Sequence, residues 1–365
     1  MSRCGYCAFT SGIYDAGLAD AYLAALRREW IARDAGGIQF GTIFIGGGTP
    51  SCLSMRQLET LLFMLPRIDG ETTCEVNPDT ATKEKLRLLR DGGVNRISFG
   101  VQTFSPEGLR LLGRRHDAPA ALRAVDWARE IGFPNGVSID LINGWPGQDD
   151  AMLREDIAIA ASLPIQHISQ YNFILEESAS QYALYHSLLH EKDEENKENG
   201  EDERGKKYWD YIEEHLEKKG FKHYETSNFS QPGFPCRHNV AIWKGGEYLG
   251  LGAGAHSHRA GRRFANCDDV ETYVNRSGFP RDIEAFSEQL KGEAKARECA
   301  VFWLRLFDGV ELAEFAERTG YDFCDLYKKE LPGLLSNSVM EMDNGRIRVA
   351  RRYQPLLDMI LMDLV

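Results

Sequence analysis

Two cysteines stand three positions apart at the start of the chain, Cys4 and Cys7 in the stretch MSRCGYCAFTSG. A Cys-x-x-Cys pair suits a redox dithiol, half of a zinc site or part of an iron–sulfur site, and each of these needs partners beyond the pair. The remaining cysteines, Cys52, Cys74, Cys236, Cys267, Cys299 and Cys324, follow no common spacing. That argues for reduced thiols over a disulfide framework. Other residues that could do chemistry fall in short runs: GGGTPS (46–51), EVNP (75–78), GVQT (100–103) and Asp140 within SIDLI. Three glycines let backbone N–H and C=O groups approach a ligand closely, but the Lys and Ser/Thr of a phosphate P-loop are absent. A nucleoside triphosphate is therefore not the expected ligand.

Each of these runs lies at or just after a β-rich segment. The expected strands are TIFIG (42–46), TTCEV (72–76), RISFG (96–100), GVSIDLI (136–142), HISQY (167–171) and KHYETS (222–227). Between them lie amphipathic segments such as MRQLETLLFML (55–65) and ALRAVDWAREIG (121–132), where Leu122, Val125 and Ala128 recur at helical spacing. Such repetition makes an α/β fold with a parallel sheet, open or closed as a barrel, with its functional loops at the carboxyl ends of the strands. From residue 286 helical patterns (ECAVFWLRL, LAEFAERTG, DLYKKELPGLL) lead to a short RIRVA run, so two domains are expected, 1–285 and a helical or winged-helix-like 286–365.

Composition narrows the function. A formal charge of -12 over 365 residues disfavours attraction to nucleic acid or anionic membrane. Neither a long apolar run nor a signal peptide is visible, so a cytoplasmic protein without stable membrane insertion is expected. The acidic segment 190–207 lacks aliphatic and aromatic residues and reads as a solvated helix or surface insertion.

Taken in order, CGYC, GGGTPS, EVNP, GVQT, LLGRRH, SIDLI, HISQY, YETSNF, RHN and GLGAGAHS resemble the radical S-adenosylmethionine (SAM) enzymes. More closely, the chain resembles the branch that holds oxygen-independent coproporphyrinogen III oxidase and the HemW haem chaperones, and the resemblance extends over nearly the whole chain. The resemblance implies a partial (β/α) radical SAM barrel with a HemN-like C-terminal domain, a [4Fe–4S] cluster and bound SAM. The family's cluster motif is Cys-x-x-x-Cys-x-x-Cys; Cys4 and Cys7 match its second and third cysteines, and the first would fall immediately before Met1. The first barrel strand is missing with it. A late start to the chain and a degraded cluster site both account for this; the late start is preferred because a lost strand leaves an unpaired sheet edge.

Carried over from the family, Tyr6 contacts the adenosyl group, and Gly47, Gly48 and Thr49 line the SAM site. Glu75, Gln102, Arg114 and Asp140 match further SAM contacts, and Ile174 and His256 fall at contact positions. A strand-end carboxylate can accept from ribose hydroxyls or an ammonium, and an arginine can pair with the cofactor carboxylate. Phe9 stands where the oxidase has an additional cysteine, which favours the chaperone branch and hence haem, or a porphyrin, as ligand and haem-acceptor proteins as partners. In the chaperones' His-Asn-x-x-Tyr-Trp motif this chain has His238, Asn239, Ile242 and Trp243, with Ile242 in place of the tyrosine. His238 then becomes the candidate haem-iron ligand, and Arg237, Arg262 and Arg263 the candidate partners of the propionates. The enzyme reading, decarboxylation of coproporphyrinogen III, is the alternative. GLGAGA (250–255) fits tight backbone packing better than a dinucleotide fingerprint, because no βαβ unit opens there.

Two thiolates hold a [4Fe–4S] unit poorly, and Cys52 is the nearest loop thiol that could substitute for the third. Anaerobic reconstitution of the 365-residue chain followed by iron counting should give well under four irons per chain; near four would contradict this.

Overall fold

The computed structural model describes residues 4–7, 10–177, 179–195 and 201–365. Phe9 and the centre of the acidic segment (196–200) lie outside them. Five parallel strands, β1 (Thr42–Ile45), β2 (Glu71–Val76), β3 (Arg96–Gln102), β4 (Val137–Asn143) and β5 (His167–Asn172), pair in sequence order. Beyond β5 lie β7 (Asn228–Ser230) and then β6 (Lys222–Glu225), completing a seven-stranded sheet that curls through 183° into a half-barrel with β1 at one edge.

Period-two alternation decides which side chains face inward. Ile45, Cys74, Val76, Ile97, Phe99, Val101, Ile139, Leu141 and Ile168 belong to the apolar core shared with the covering helices. Those helices are α1 (Ala16–Ala32), α2 (Met55–Met64), α3 (Lys83–Asp91), α5 (Ala118–Ile131), α6 (Asp150–Ser162) and α8 (Glu201–Lys218), while α4 (Pro106–Leu111) and α7 (Tyr182–Glu195) lie in the same series without joining that core. The intervening residues, Glu71, Thr73, Glu75, Arg96, Ser98, Ser138, Asp140, His167 and Ser169, line the opposite, concave face.

Two expectations change here. KHYETS was expected as one further strand of the parallel series; instead β6 turns within two residues into β7, and β7 runs antiparallel to β5. So short a link cannot make the crossover that a parallel neighbour requires. DLYKKELPGLL, expected as one helix, is two, Phe323–Leu326 and Leu331–Ser336, with Pro332 in the first turn of the second.

After α9 (Arg237–Trp243), strands β8 (His256–Arg259), β9 (Arg262–Asn266) and β10 (Glu284–Gln289) form a separate antiparallel sheet, with α10 (Val270–Arg276) and α11 (Pro280–Ile283) between β9 and β10. The division expected between 285 and 286 passes through β10, whose pairing with β9 holds it to the preceding unit. The C-terminal unit starts with α12 (Gly292–Trp303) and α13 (Leu312–Thr319) and carries β11 (Val310–Glu311), β12 (Met340–Asp343) and β13 (Arg346–Val349). Its own core includes Trp303, Phe315, Phe323, Tyr327 and Ile347. α9 bridges the two units: Trp243 stacks on Phe302, and Lys244 pairs with Glu314 at 2.7 Å while lying over the Trp303 ring.

The glycine-rich run 250–255 is held by a carboxylate from the far end of the chain. Glu29 on α1 is fully buried and accepts from the Gly252 N–H (2.9 Å), Tyr273 Oη (2.7 Å), Asn266 Nδ2 (2.8 Å) and Arg33 Nε (2.7 Å). Gly252 has φ +108, and a Cβ there would lie 2.6 Å from Tyr22 Oη. Close packing therefore accounts for the glycines, as expected. Removing the carboxylate strands at least three buried donors, so Glu29→Ala should lower unfolding stability by about 3 kcal/mol in a denaturant titration.

Candidate functional site

The cysteine pair sits on a turn, with the Cys7 N–H donating to the Cys4 carbonyl (3.2 Å). That turn rests on the carboxyl ends of the strands. The Gly5 carbonyl accepts from the Gln181 N–H (3.0 Å), and the Gly5 nitrogen packs against Gly113, whose φ of +64 suits glycine. Arg114, next in the chain, donates to the Gly100 carbonyl (2.7 Å), to Asn77 Oδ1 (2.8 Å) and to Cys4 Sγ (3.4 Å). Asn77 in turn donates to Thr49 Oγ1 (3.1 Å). One guanidinium thus ties the cysteine turn, β3 and the loops after β1 and β2 together.

Gly100 lies at the centre of this crowd. A Cβ there would fall 3.0 Å from Gln102 Nε2, 3.1 Å from Asn77 Oδ1 and 3.3 Å from the Arg114 guanidinium. Gln102 itself has φ +72, where the pairing of β3 with β4 slips by one residue. Tyr6 packs against Phe173, ring centroids 6.0 Å apart. Burial raises its phenol pKa, with Arg114 opposing and the two cysteines adding to the rise.

Below the rim, two carboxyl groups face the concave interior. Glu75 accepts from the Gly47 N–H (3.1 Å); Gly47 has φ +106 and open space where a Cβ would stand. Burial, reinforced by Asp140, pushes the Glu75 pKa up to about 7. Asp140 accepts from Ser98 Oγ (2.9 Å), and burial raises its pKa against the hydrogen bonds from Ser169 and Ser98. Two acids facing one interior lower their mutual repulsion by staying partly protonated or by meeting a cation or hydroxyl donors.

His238 occupies the other end of the same interior. It is the second residue of α9, and its Nδ1 lies 2.8 Å from Thr42 Oγ1. Its ring stacks on Phe44 with centroids 5.2 Å apart. Phe44 also approaches the rim, since a Cβ on Gly46 would lie 2.6 Å from its ring and 2.8 Å from the Glu75 carboxyl carbon. The Phe44 ring thus stands between His238 and the Glu75 side of the rim. Burial lowers the His238 pKa, with Glu71 opposing, which favours the neutral imidazole that binds metals.

The residues expected from the sequence divide into two sets. Cys4, Tyr6, Gly47, Thr49, Glu75, Gln102, Arg114 and Asp140 converge on the rim and inner wall, with Gly48 beside Ser11 at the mouth. Ile174 is exposed on the loop after β5. His256 is also exposed, and the approach to the cysteine loop runs through its neighbour Gly254, where a Cβ would meet Thr10 Oγ1 at 2.6 Å. Arg262 and Arg263 are engaged elsewhere, in ion pairs with Glu284 (2.5 Å) and Glu298 (3.2 Å), which removes the basis for assigning them to propionates. Arg237 is exposed beside His238. Residues missed by sequence reasoning are Asn77, Phe44, Thr42 and Glu71; Asn77 was signalled by its place in EVNP, the other three by nothing local.

Among the described residues no three His, Cys, Asp or Glu side chains gather into a metal site, so Cys52 does not complete one with Cys4 and Cys7. The described residues thus supply two corners for a three-thiolate cluster. The SAM site fits better: two buried acids that meet no cationic partner at bonding distance among the described residues, a glycine cradle and an arginine-bearing rim match a ligand with hydroxyl, ammonium and carboxylate groups.

The Radical SAM superfamily model matches residues 1–160, and the HemN C-terminal domain model matches residues 290–352. The heme chaperone HemW of Bacillus subtilis (strain 168) is 36% identical over 353 residues, spanning 92% of this chain and 90% of that protein. This chain belongs to the HemW family. Its HemW relative in Lactococcus lactis subsp. lactis (strain IL1403) is 33% identical, spanning 95% of this chain and 89% of the relative. The coproporphyrinogen III oxidase HemN of Escherichia coli, a radical SAM enzyme, shares the fold, with a TM-score of 0.78 at 21% identity over 100% of this chain and 87% of HemN. Among the described residues no helix is long and apolar enough to cross a membrane.

The acid wall gives a pH test. Glu75 binds its proton more tightly folded, with a pKa of about 7 against an ordinary 4.5, so its burial penalty is absent below 4.5 and complete above 7. Glu75→Gln should therefore stabilise the ligand-free protein by about 2 kcal/mol at pH 8. The gain should fade as pH drops through that window, as read by urea denaturation at several pH values; a gain independent of pH would contradict the assignment.

Proposed function

We propose that this chain is a haem chaperone, holding haem within the half-barrel and passing it to acceptor proteins. The observation that carries this reading is the setting of His238. Its ring is fixed on the inner wall by Phe44 and by Thr42 at Nδ1, which leaves Nε2 as the nitrogen for iron. When Nδ1–H donates to Thr42 Oγ1, the Nε2 lone pair is free to coordinate, which is the tautomer iron requires. The names of the HemW relatives agree with this reading.

The rim residues would hold SAM: Glu75 and Asp140 as acceptors for ribose hydroxyls or the ammonium, Gly47 and Gly48 as backbone contacts, Tyr6 against the adenosyl group. Arg114 retains N–H groups beyond the three it spends on protein acceptors, enough to meet a carboxylate. Cys4 and Cys7 would supply two thiolates to a [4Fe–4S] cluster. Bound together, such a cluster and SAM would supply one-electron radical chemistry. The protein's own part is to orient the ligands and to keep water from a polar interior that is largely buried.

Haem titration should give a Soret band characteristic of imidazole ligation, and His238→Ala should weaken binding about tenfold or more and shift the band. Conversion of coproporphyrinogen III to protoporphyrinogen with consumption of SAM would overturn the chaperone reading in favour of the oxidase.

A further inference from the structure

The short helix that carries His238 lacks a cap of its own. Its N-cap residue, Cys236, makes no side-chain hydrogen bond to the first turn, and an N-terminal turn left without acceptors is costly when buried. The missing acceptor comes from the sheet. Glu71, the first residue of β2, is 1% exposed and accepts from the Arg237 N–H (3.1 Å), the His238 N–H (3.1 Å) and Cys236 Sγ (3.4 Å). Glu71 is also the register partner of Thr42, the residue that holds His238 Nδ1. Backbone and ring of His238 are thus gripped from one rung of the sheet, by Glu71 on β2 and Thr42 on β1.

A second contact fixes the chain just before the helix, where Tyr224 Oη accepts from the Cys236 N–H (3.1 Å) and lies 2.9 Å from His167 Nε2. The far end of α9 is locked to the C-terminal unit through Trp243 and Lys244. With both ends held, the remaining freedom of His238 is rotation and slippage of the first turn. Glu71 is the group that opposes it.

We infer that Glu71 is the positioning residue for haem ligation: it caps α9 from the sheet and so aims His238 Nε2 into the half-barrel. This rests on the reading of His238 as the iron ligand. A carboxylate suits the task because it accepts from both N–H groups and from the thiol at once, and its charge meets the positive end of the helix. An amide oxygen in its place accepts fewer bonds, and its NH2 group would face donors.

The test compares wild type, Glu71→Gln, Glu71→Asp and His238→Ala in haem titrations followed by Soret and visible spectra, with and without added imidazole. Glu71→Gln should bind haem about tenfold more weakly and lose the protein-imidazole spectrum, and free imidazole should restore that spectrum, because the pocket persists while its ligand is misaimed. Glu71→Asp, which keeps the charge but reaches less far, should fall between the two, and it decides the matter if Glu71→Gln does not fold. Wild-type affinity and spectrum in the folded Glu71 variants, with His238→Ala impaired, would overturn the positioning role alone. Failure of imidazole to restore the spectrum in a folded Glu71→Gln would also overturn it. If His238→Ala matches wild type, the ligand assignment beneath it falls instead.

Discussion

The half-barrel has to bury a polar face, and the rest of the architecture answers that constraint. Alternate residues of five parallel strands send one set of side chains into the helical core, which leaves Glu71, Glu75, Arg96, Ser98, Ser138, Asp140, His167 and Ser169 on the concave side. Buried polar groups are tolerated only when partnered. The partners are arranged in layers: Ser138 and Tyr224 on His167, the Asn135 and Phe234 carbonyls on Arg96, Ser98 on Asp140, and the α9 turn on Glu71. In the top layer Glu75 has a single backbone donor, and below it the Thr73 hydroxyl is buried without a partner among the described residues. A ligand completes what the fold leaves open.

Arg114 and Glu29 extend the same logic outward. Arg114 fastens the cysteine turn to β3 and to Asn77, so the thiols are set by the sheet and not by their own loop. Glu29 fastens the glycine run 250–255, whose Gly254 packs on Thr10 in the loop after the cysteines. Both ends of the rim are thereby fixed by charged side chains that bind backbone, an economical way to place a loop with few apolar residues of its own.

Much of this was legible in the sequence, for a physical reason. Strands β1 to β4 carry mostly apolar residues at every second position for the helix-facing side, and the glycines and carboxylates at or after their ends mark the rim. The family resemblance then placed Glu75, Gln102, Arg114 and Asp140, which do share one interior. The β8–β10 sheet was not legible: HSHR, RRFAN and EAFSEQ are polar strands with no clean alternation, stabilised by ion pairs such as Arg262 with Glu284. Nor were Glu29 and Glu71, because each looks like an ordinary helix or strand glutamate until residues 165 to 244 positions away arrive to donate to it.

The central claim is that haem iron meets His238 Nε2 inside the half-barrel, with Phe44 between that histidine and the acid wall. Pulsed electron paramagnetic resonance of the ferric haem complex, prepared with 15N-labelled histidine, reads that bond directly. The account predicts a strongly coupled imidazole nitrogen in the wild-type complex that disappears in His238→Ala. The same coupling persisting in His238→Ala, or its absence from the wild-type complex, would contradict it.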